Sequence, residues 1–474
     1  MNLLAANGPV RKMTRTGSMT SSSTPSAPLP AQLCADLPDP AALGLVASGN
    51  DGCALVASAF TGRRLAAIPA SVPADVHRAV GRAREAQQPW HTVPLSRRIG
   101  VFRELRARFR EERALLYPAL VHGCGLGPMD TLTELHAADR YFPACEAAAR
   151  AHLRRYRLPR PHLSGRIGAR FSPGHAVVTS CTDDARPLMS LLEGALPALL
   201  CGSAVITRLS ARTAVAALRM AQHARAAGLP DGLWQFVLPQ SRSATWVLHA
   251  LLAEHTDARA PQCCPATPRP EDETLARPGL LVVRHDASVP AAVRAAVPSC
   301  FGRAGRPCAA TSLIAVHQTT WSPFERAFTR AALHFAAHPA SRTALPVVNA
   351  ERGAAWAQAA RAAGARPLLG HPQRFAPRPD ALWHPMVLTA SRWDGAPVPA
   401  VPRAPLALLV RYTAWSEVLD LARHANRHLG LFTRTRFSQL RPQFAGLPAE
   451  HLTLNAAPRS GLPPRQAVQA LQPG

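Results

Sequence analysis

Between residues 74 and 87, Val76, Val80 and Ala83 recur on one stripe with arginines outside it, which predicts an amphipathic helix ended by Pro89. A second helix is predicted from Ser96 as N-cap, with Ile99, Phe102, Leu105 and Phe109 on its buried face. From residue 175 the pattern changes. Short apolar runs at 175–180, 203–208 and 233–238 alternate with longer stretches at 187–200 and 213–227 that read as helices, the last closed by Gly228. Strand–helix–strand–helix–strand with short links requires a parallel, doubly wound sheet, and such sheets take ligands at the carboxyl ends of their strands. Residues 240–277 read as irregular, with Cys263, Cys264 and several prolines. A second α/β unit follows, with strands at 280–284, 312–317, 386–390, 406–412, 431–433 and 451–454 and helices at 289–297, 323–337, 354–363 and 415–426. No internal repeat interrupts this order.

Length and charge refine the picture. A chain of 474 residues that is 47% hydrophobic has room for two or three domains or one large α/β enzyme. The longest apolar run, 188–200, is broken by Glu193, Gly194 and Pro197, so no membrane-spanning helix is expected. The formal net charge of +25 invites a nucleic-acid reading. Yet Lys12 is the only lysine, the arginines are spread along the whole chain, and aromatic residues are only 5%. A phosphate-binding surface clusters its charge and interleaves aromatics, so nucleic-acid binding is not expected. Of the ten cysteines, none forms a C-x-x-C pair and no histidine stands at zinc spacing, so no metal is expected. Without a recognisable secretion signal the thiols are expected to be reduced and the chain cytoplasmic. Residues 1–40, rich in Ser, Thr and Pro, read as a disordered tail.

Several stretches carry a likeness to a known family. Thr61-Gly62-Arg63, the helix from Asp75 through Trp90, and Pro94-Leu95-Ser96 come first. The segment from Gly194 to Ile206 follows, containing Ala195-Leu196-Pro197 and Gly202-Ser203, and then Ala227-Gly228-Leu229-Pro230-Asp231-Gly232. Cys300-Phe301 and Ala304-Gly305-Arg306-Pro307-Cys308 come next, and Tyr412 with the helix after it closes the series. Their order and spacing over about residues 60 to 455 resemble the aldehyde dehydrogenase superfamily. The resemblance implies a Rossmann-like dinucleotide domain and an α/β catalytic domain. We place these at residues 41–275 and 276–455, with 456–474 as a shortened C-terminal tail. It also implies NAD or NADP as cofactor, an aldehyde substrate and a homo-oligomer. The short C-terminus is expected to weaken that oligomer.

Aldehyde oxidation needs a thiolate, an oxyanion donor, a hydride acceptor and a base that activates water. On the resemblance Cys308 holds the nucleophile position, with its own N–H as one oxyanion donor. No lysine or histidine neighbour is visible to lower its pKa. A plain buried cysteine is the alternative reading, and Cys300 reads as core. The family's asparagine donor falls on Ala185, which has no side-chain donor, with Arg186 as a candidate substitute. Of the nucleotide contacts, Arg208 and Ser210 are retained as candidates, while Ala211, Val401 and the stretch Cys263–Pro268 lack the expected groups. The base falls on Thr274 or, one residue away, on Glu273. Three functions follow as expectations. One is an NAD(P)-dependent aldehyde dehydrogenase working through a Cys308 thiohemiacetal. Another is a catalytically impaired member that serves as a binding or scaffold protein. The third is an acyl-transferring or reductive relative that needs no base.

Overall fold

The computed structural model describes residues 38–48, 52–157, 176–260, 275–276, 279–338, 341, 343–370, 385–390, 401–425, 428–440, 442 and 451–458. An antiparallel hairpin, β1 (Cys53–Ala57) and β2 (Arg64–Pro69), leads into helices α1 (Pro73–Thr92), α2 (Leu95–Glu111) and α3 (Arg113–Pro118). A π-helical turn at Ala119–Gly123 then precedes the long α4 (Pro128–Arg157). The first sheet is built from β3 (Val177–Cys181), α5 (Pro187–Cys201), β4 (Ala204–Arg208), α6 (Ala214–Ala226), β5 (Trp234–Val237), α7 (Arg242–His255) and β6 (Ala258–Arg259). Its strands are all parallel, in the order β5-β4-β3-β6. The chain therefore leaves β3 on one side and returns on the other, which makes the carboxyl end of β3 a topological switch point.

The second sheet has seven strands in the order β10-β11-β13-β9-β8-β14-β15. Its chain order is β8 (Gly279–Val283), α8 (Val289–Phe301), β9 (Thr311–His317), α9 (Trp321–Ala337), α10 (Val347–Ala362), β10 (Arg366–Leu369) and β11 (Met386–Ala390), then β13 (Leu406–Tyr412), α11 (Trp415–His424), β14 (His428–Phe432) and β15 (His451–Leu454). The edge strand β10 runs antiparallel and the others are parallel. A separate antiparallel pair is formed by β7 (Leu275–Ala276) and β12 (Val401–Pro402). Strands β4, β5 and β8 are buried at every position, which is why they read as continuous apolar runs rather than alternating ones. Each sheet has its own hydrophobic core, one drawn from residues 43–260 and the other from residues 280–440.

The sequence pattern misplaces several boundaries: α8 runs on to Phe301, α10 starts at Val347 rather than 354, and β14 starts at His428 rather than 431. Helix α1 continues through Pro89 to Thr92, because Trp90 is anchored by its indole N–H to the Leu199 carbonyl at 2.8 Å. Helix α2 is capped by Pro94, one residue before its start, so Ser96 lies inside the first turn. The stretch read as irregular opens with α7, whose N-cap Ser241 accepts the Ala244 N–H at 3.1 Å.

The junction of β8 and β14 is tied by Asp286. Its carboxylate accepts from the Thr433 and Thr435 hydroxyls and from the backbone N–H groups of Arg434 and Thr435. Partial burial pushes its pKa up, but those donors outweigh it and hold the group at about 2, below its usual 3.8. A depressed carboxylate adds stability above its unfolded pKa and loses it as pH falls through the folded one. Asp286→Ala is therefore expected to cost about 2 kcal/mol at pH 7 and little at pH 2. Equal shifts in urea midpoint at both pH values would contradict this.

Candidate active site

Cys308 stands on the loop between α8 and β9, at the amino end of β9. The loop leaves α8 through a tight turn, Gly302–Gly305, in which three successive residues are left-handed: Arg303 (φ 52°), Ala304 (φ 54°) and Gly305 (φ 65°). Left-handed backbone costs an ordinary residue roughly 1–2 kcal/mol, so the surroundings must over-determine this turn. At Gly305 no side chain fits, since a Cβ there would lie 2.3 Å from the Ala404 carbonyl oxygen. A second turn, closed by the Ala310 N–H to the Pro307 carbonyl at 2.9 Å, carries the half-buried Cys308.

Cys308 is disulfide-bonded in the structure, which corrects the expectation of reduced thiols throughout. In that state its sulfur is not a nucleophile, and reduction is needed to produce the thiolate. Cys300, eight residues earlier, is a core residue whose thiol burial pushes far up.

The loop between β3 and α5 holds the expected oxyanion position. Ala185 is 1% exposed and its N–H is taken by the Asp183 carboxylate at 3.0 Å. Arg186 does not substitute for the missing donor. It is buried and its guanidinium is bound to Glu193 of α5 at 2.5 Å. Burial pushes the Glu193 carboxyl up to about 7 even though the Arg186 charge pulls it down. Arg306, two residues before Cys308, is the guanidinium the sequence reading overlooked. It is 4% exposed, donates from Nε to the Arg303 carbonyl and from Nη2 to the Cys124 carbonyl, both at 3.2 Å, and its Nη1 has no partner among the described residues.

The carboxyl ends of β3 and β4 carry the candidate nucleotide contacts. Arg208 ends β4, is buried, and its Nε has no partner among the described residues. Arg212, on the following turn, likewise leaves Nη1 unpartnered there, with its Nε 3.8 Å from Asp184. The Ser210 hydroxyl is bound to Asp184, and its N–H points to the Thr182 hydroxyl at 3.1 Å. Val401 lies in β12 opposite Ala276. Glu273, Thr274 and the stretch 263–268 lie outside the described residues. Among the described residues no group of three or more His, Cys, Asp or Glu side chains is placed to hold a metal ion.

Also missed were the acids that face this loop from α4. Asp130 accepts the Arg303 N–H at 2.8 Å and Glu134 accepts the Arg303 guanidinium at 2.6 Å. Their i,i+4 spacing, which puts them on one helix face, was the available signal.

The two sheets, the switch point and the cysteine loop before β9 define a class. The chain belongs to the aldehyde dehydrogenase family, whose model matches residues 46–260 and 279–431. It is 27% identical over 290 residues to a Mycobacterium tuberculosis protein assigned as succinate-semialdehyde dehydrogenase [NADP(+)] 2, covering 57% of this chain and 53% of that one. It is 30% identical over 273 residues to malonate-semialdehyde dehydrogenase 1 of Geobacillus thermodenitrificans, covering 54% of each. The chain thus spans about half the length of the curated relatives it matches. Among solved structures, NADP-dependent glyceraldehyde-3-phosphate dehydrogenase of Bacillus halodurans, complexed with NADP, superposes with a TM-score of 0.70 at 16% identity, over 89% of this chain and 94% of that one. The Mycobacterium tuberculosis aldehyde dehydrogenase complexed with NAD+ gives 0.71 at 16% identity, over 90% and 94%. The named relatives are dehydrogenases, so the scaffold reading finds no support among them. No helix among the described residues is long and apolar enough to cross a membrane.

Proposed function

We propose that this chain is an NAD(P)-dependent aldehyde oxidoreductase that works through Cys308 in its reduced form. The observation that carries the reading is the placement of Cys308 on a conformationally constrained loop at the amino end of β9 in a chain of this family. The Cys308 thiolate adds to the aldehyde carbon, a C–S bond forms, and the carbonyl oxygen takes the negative charge as a thiohemiacetal. Two donors serve that oxygen in this chain: the Cys308 backbone N–H and the Arg306 guanidinium, whose Nη1 is otherwise unpartnered among the described residues. The bound cofactor supplies the hydride acceptor. Arg208 and Arg212 fit its phosphate groups, since each keeps an N–H that is unpartnered among the described residues beside the switch point. Ser210 is the weaker candidate, its hydroxyl being held by Asp184. Glu273 is the carboxylate we assign to activating the water that releases the acid from the thioester. Relatives named for succinate and malonate semialdehyde make short semialdehydes the first substrates to try.

Calorimetric titration of the reduced protein with NAD+ and NADP+, followed by turnover assays at 340 nm, tests the reading. Micromolar binding is expected, weakened at least tenfold in Arg208→Ala. If neither nucleotide binds at millimolar concentration and no semialdehyde produces absorbance, the proposal is wrong.

A further inference from the structure

Two consecutive non-glycine residues in left-handed conformation stand just before Cys308, and what holds them comes from the other core. The carboxylate of Glu134 on α4 has no exposed surface, and it is divided between two partners. Oε1 accepts the Met189 N–H in the first turn of α5 at 2.8 Å, and Oε2 accepts the Arg303 guanidinium at 2.6 Å. One turn earlier on α4, Asp130 Oδ2 accepts the Arg303 backbone N–H at 2.8 Å and the Thr343 hydroxyl. Thr343 Oγ1 in turn accepts the Gly127 N–H at 2.9 Å, at the start of α4. On the far side of the turn, the Arg303 carbonyl accepts from the Arg306 side chain, which is itself tied to Cys124. Arg303 is thus gripped at its N–H, its carbonyl and its guanidinium.

The grip crosses between domains. Helix α4 packs with the first core through Leu135 and Ala138, whereas Phe301 and Ala304 on either side of Arg303 belong to the second. A left-handed turn is not the relaxed state of Arg303-Ala304, so without the two acids the segment is free to unwind toward right-handed backbone. Such a change rotates everything downstream of it up to β9, and Cys308 is four residues beyond Ala304.

We propose that Asp130, Glu134 and Arg303 form a clamp that presents Cys308 by locking the turn before it in left-handed conformation. This rests on the reading of Cys308 as the nucleophile. The three are positioning residues: they act through the turn and touch no substrate.

The full chain tests this by two readings that need no turnover. The first is hydrogen exchange of the peptide covering residues 302–310. The second is iodoacetamide labelling of Cys308 after reduction, measured site by site by mass spectrometry against the exposed Cys53. Glu134→Gln and Arg303→Met are each expected to raise exchange in 302–310 at least tenfold, leave exchange in β3 unchanged, and lower the Cys308-to-Cys53 labelling ratio at least tenfold. The double variant is expected to be no worse than the more affected single one. Arg303→Lys, which keeps a charged donor, is expected to recover most of both effects. If Glu134→Gln fails to fold, Asp130→Asn is read the same way. Exchange or labelling within twofold of the unaltered chain overturns the clamp. Absence of turnover in the unaltered chain contradicts the proposed function instead, and leaves these two readings to decide the clamp.

Discussion

Replacing Cys308 by serine is expected to lower aldehyde oxidation by the reduced protein by about a thousandfold or more, with NADP+ affinity unchanged within twofold. A serine hydroxyl is far less acidic than a thiol, so far less of it is present as the attacking anion. No other described cysteine stands on this loop: Cys124, Cys145, Cys201 and Cys300 are buried, Cys53 lies on the β1–β2 hairpin, and the half-buried Cys181 ends β3. Because Cys308 is disulfide-bonded, the unaltered chain without reductant should show the same loss, and dithiothreitol should restore activity in step with the appearance of one labelled thiol at Cys308. Activity that persists in Cys308→Ser, or that ignores reductant while Cys308 remains oxidised, would remove the central residue of the mechanism.

The central strands were legible in chain order because parallel sheets bury both faces, so that β4, β5 and β8 stand out as unbroken apolar runs, whereas the two-residue β6, β7 and β12 and the edge strand β10 were not read. The hairpin β1–β2 and the long α4 were not read. The hairpin is short, with its outer face exposed, and α4 contains Pro143, a residue that normally ends a helical pattern. Pro89 misled in the same way, and Ser241 was a cap overlooked among prolines and polar residues. In the candidate site, Cys308 and Ala185 are assigned by motif because each lies within a local signature. The groups that surround them were not, and the reason is separation along the chain. Arg303 meets Glu134 across 169 residues, and Arg306 meets the Cys124 carbonyl across 182. No window of sequence shows that an arginine just before Cys308 is answered by acids on a helix packed in the other core. The same limit explains Arg186. It sits next to Ala185 and was a reasonable candidate donor, but seven residues on, two helical turns along α5, Glu193 takes it out of reach.

That ion pair carries the second large effect. Arg186→Leu is expected to destabilise the protein by about 3–5 kcal/mol at pH 8, because it leaves the Glu193 carboxylate buried without its guanidinium. The same change together with Glu193→Leu should lie within about 1 kcal/mol of the unaltered chain, since two apolar side chains replace two charges that were costly to desolvate. The pH dependence separates this from a packing defect. Glu193 titrates near 7 in the folded protein, above its ordinary 4.5, so the folded state favours its protonated form. A raised carboxyl contributes its stability fully below about 4.5 and loses it as pH rises through the folded value. Removing Arg186 raises that value further, and at pH 5 Glu193 can take a proton and become neutral. The cost of Arg186→Leu should therefore shrink markedly from pH 8 to pH 5, while the double variant should show no such slope. Urea midpoints at the two pH values decide it: a single variant that costs less than about 1 kcal/mol at pH 8, or a penalty equal at both pH values, would mean that Arg186 is held there by shape rather than by charge. It would also return Arg186 to the short set of donors available to a developing oxyanion beside Ala185, a set that otherwise reduces to the Cys308 backbone and Arg306.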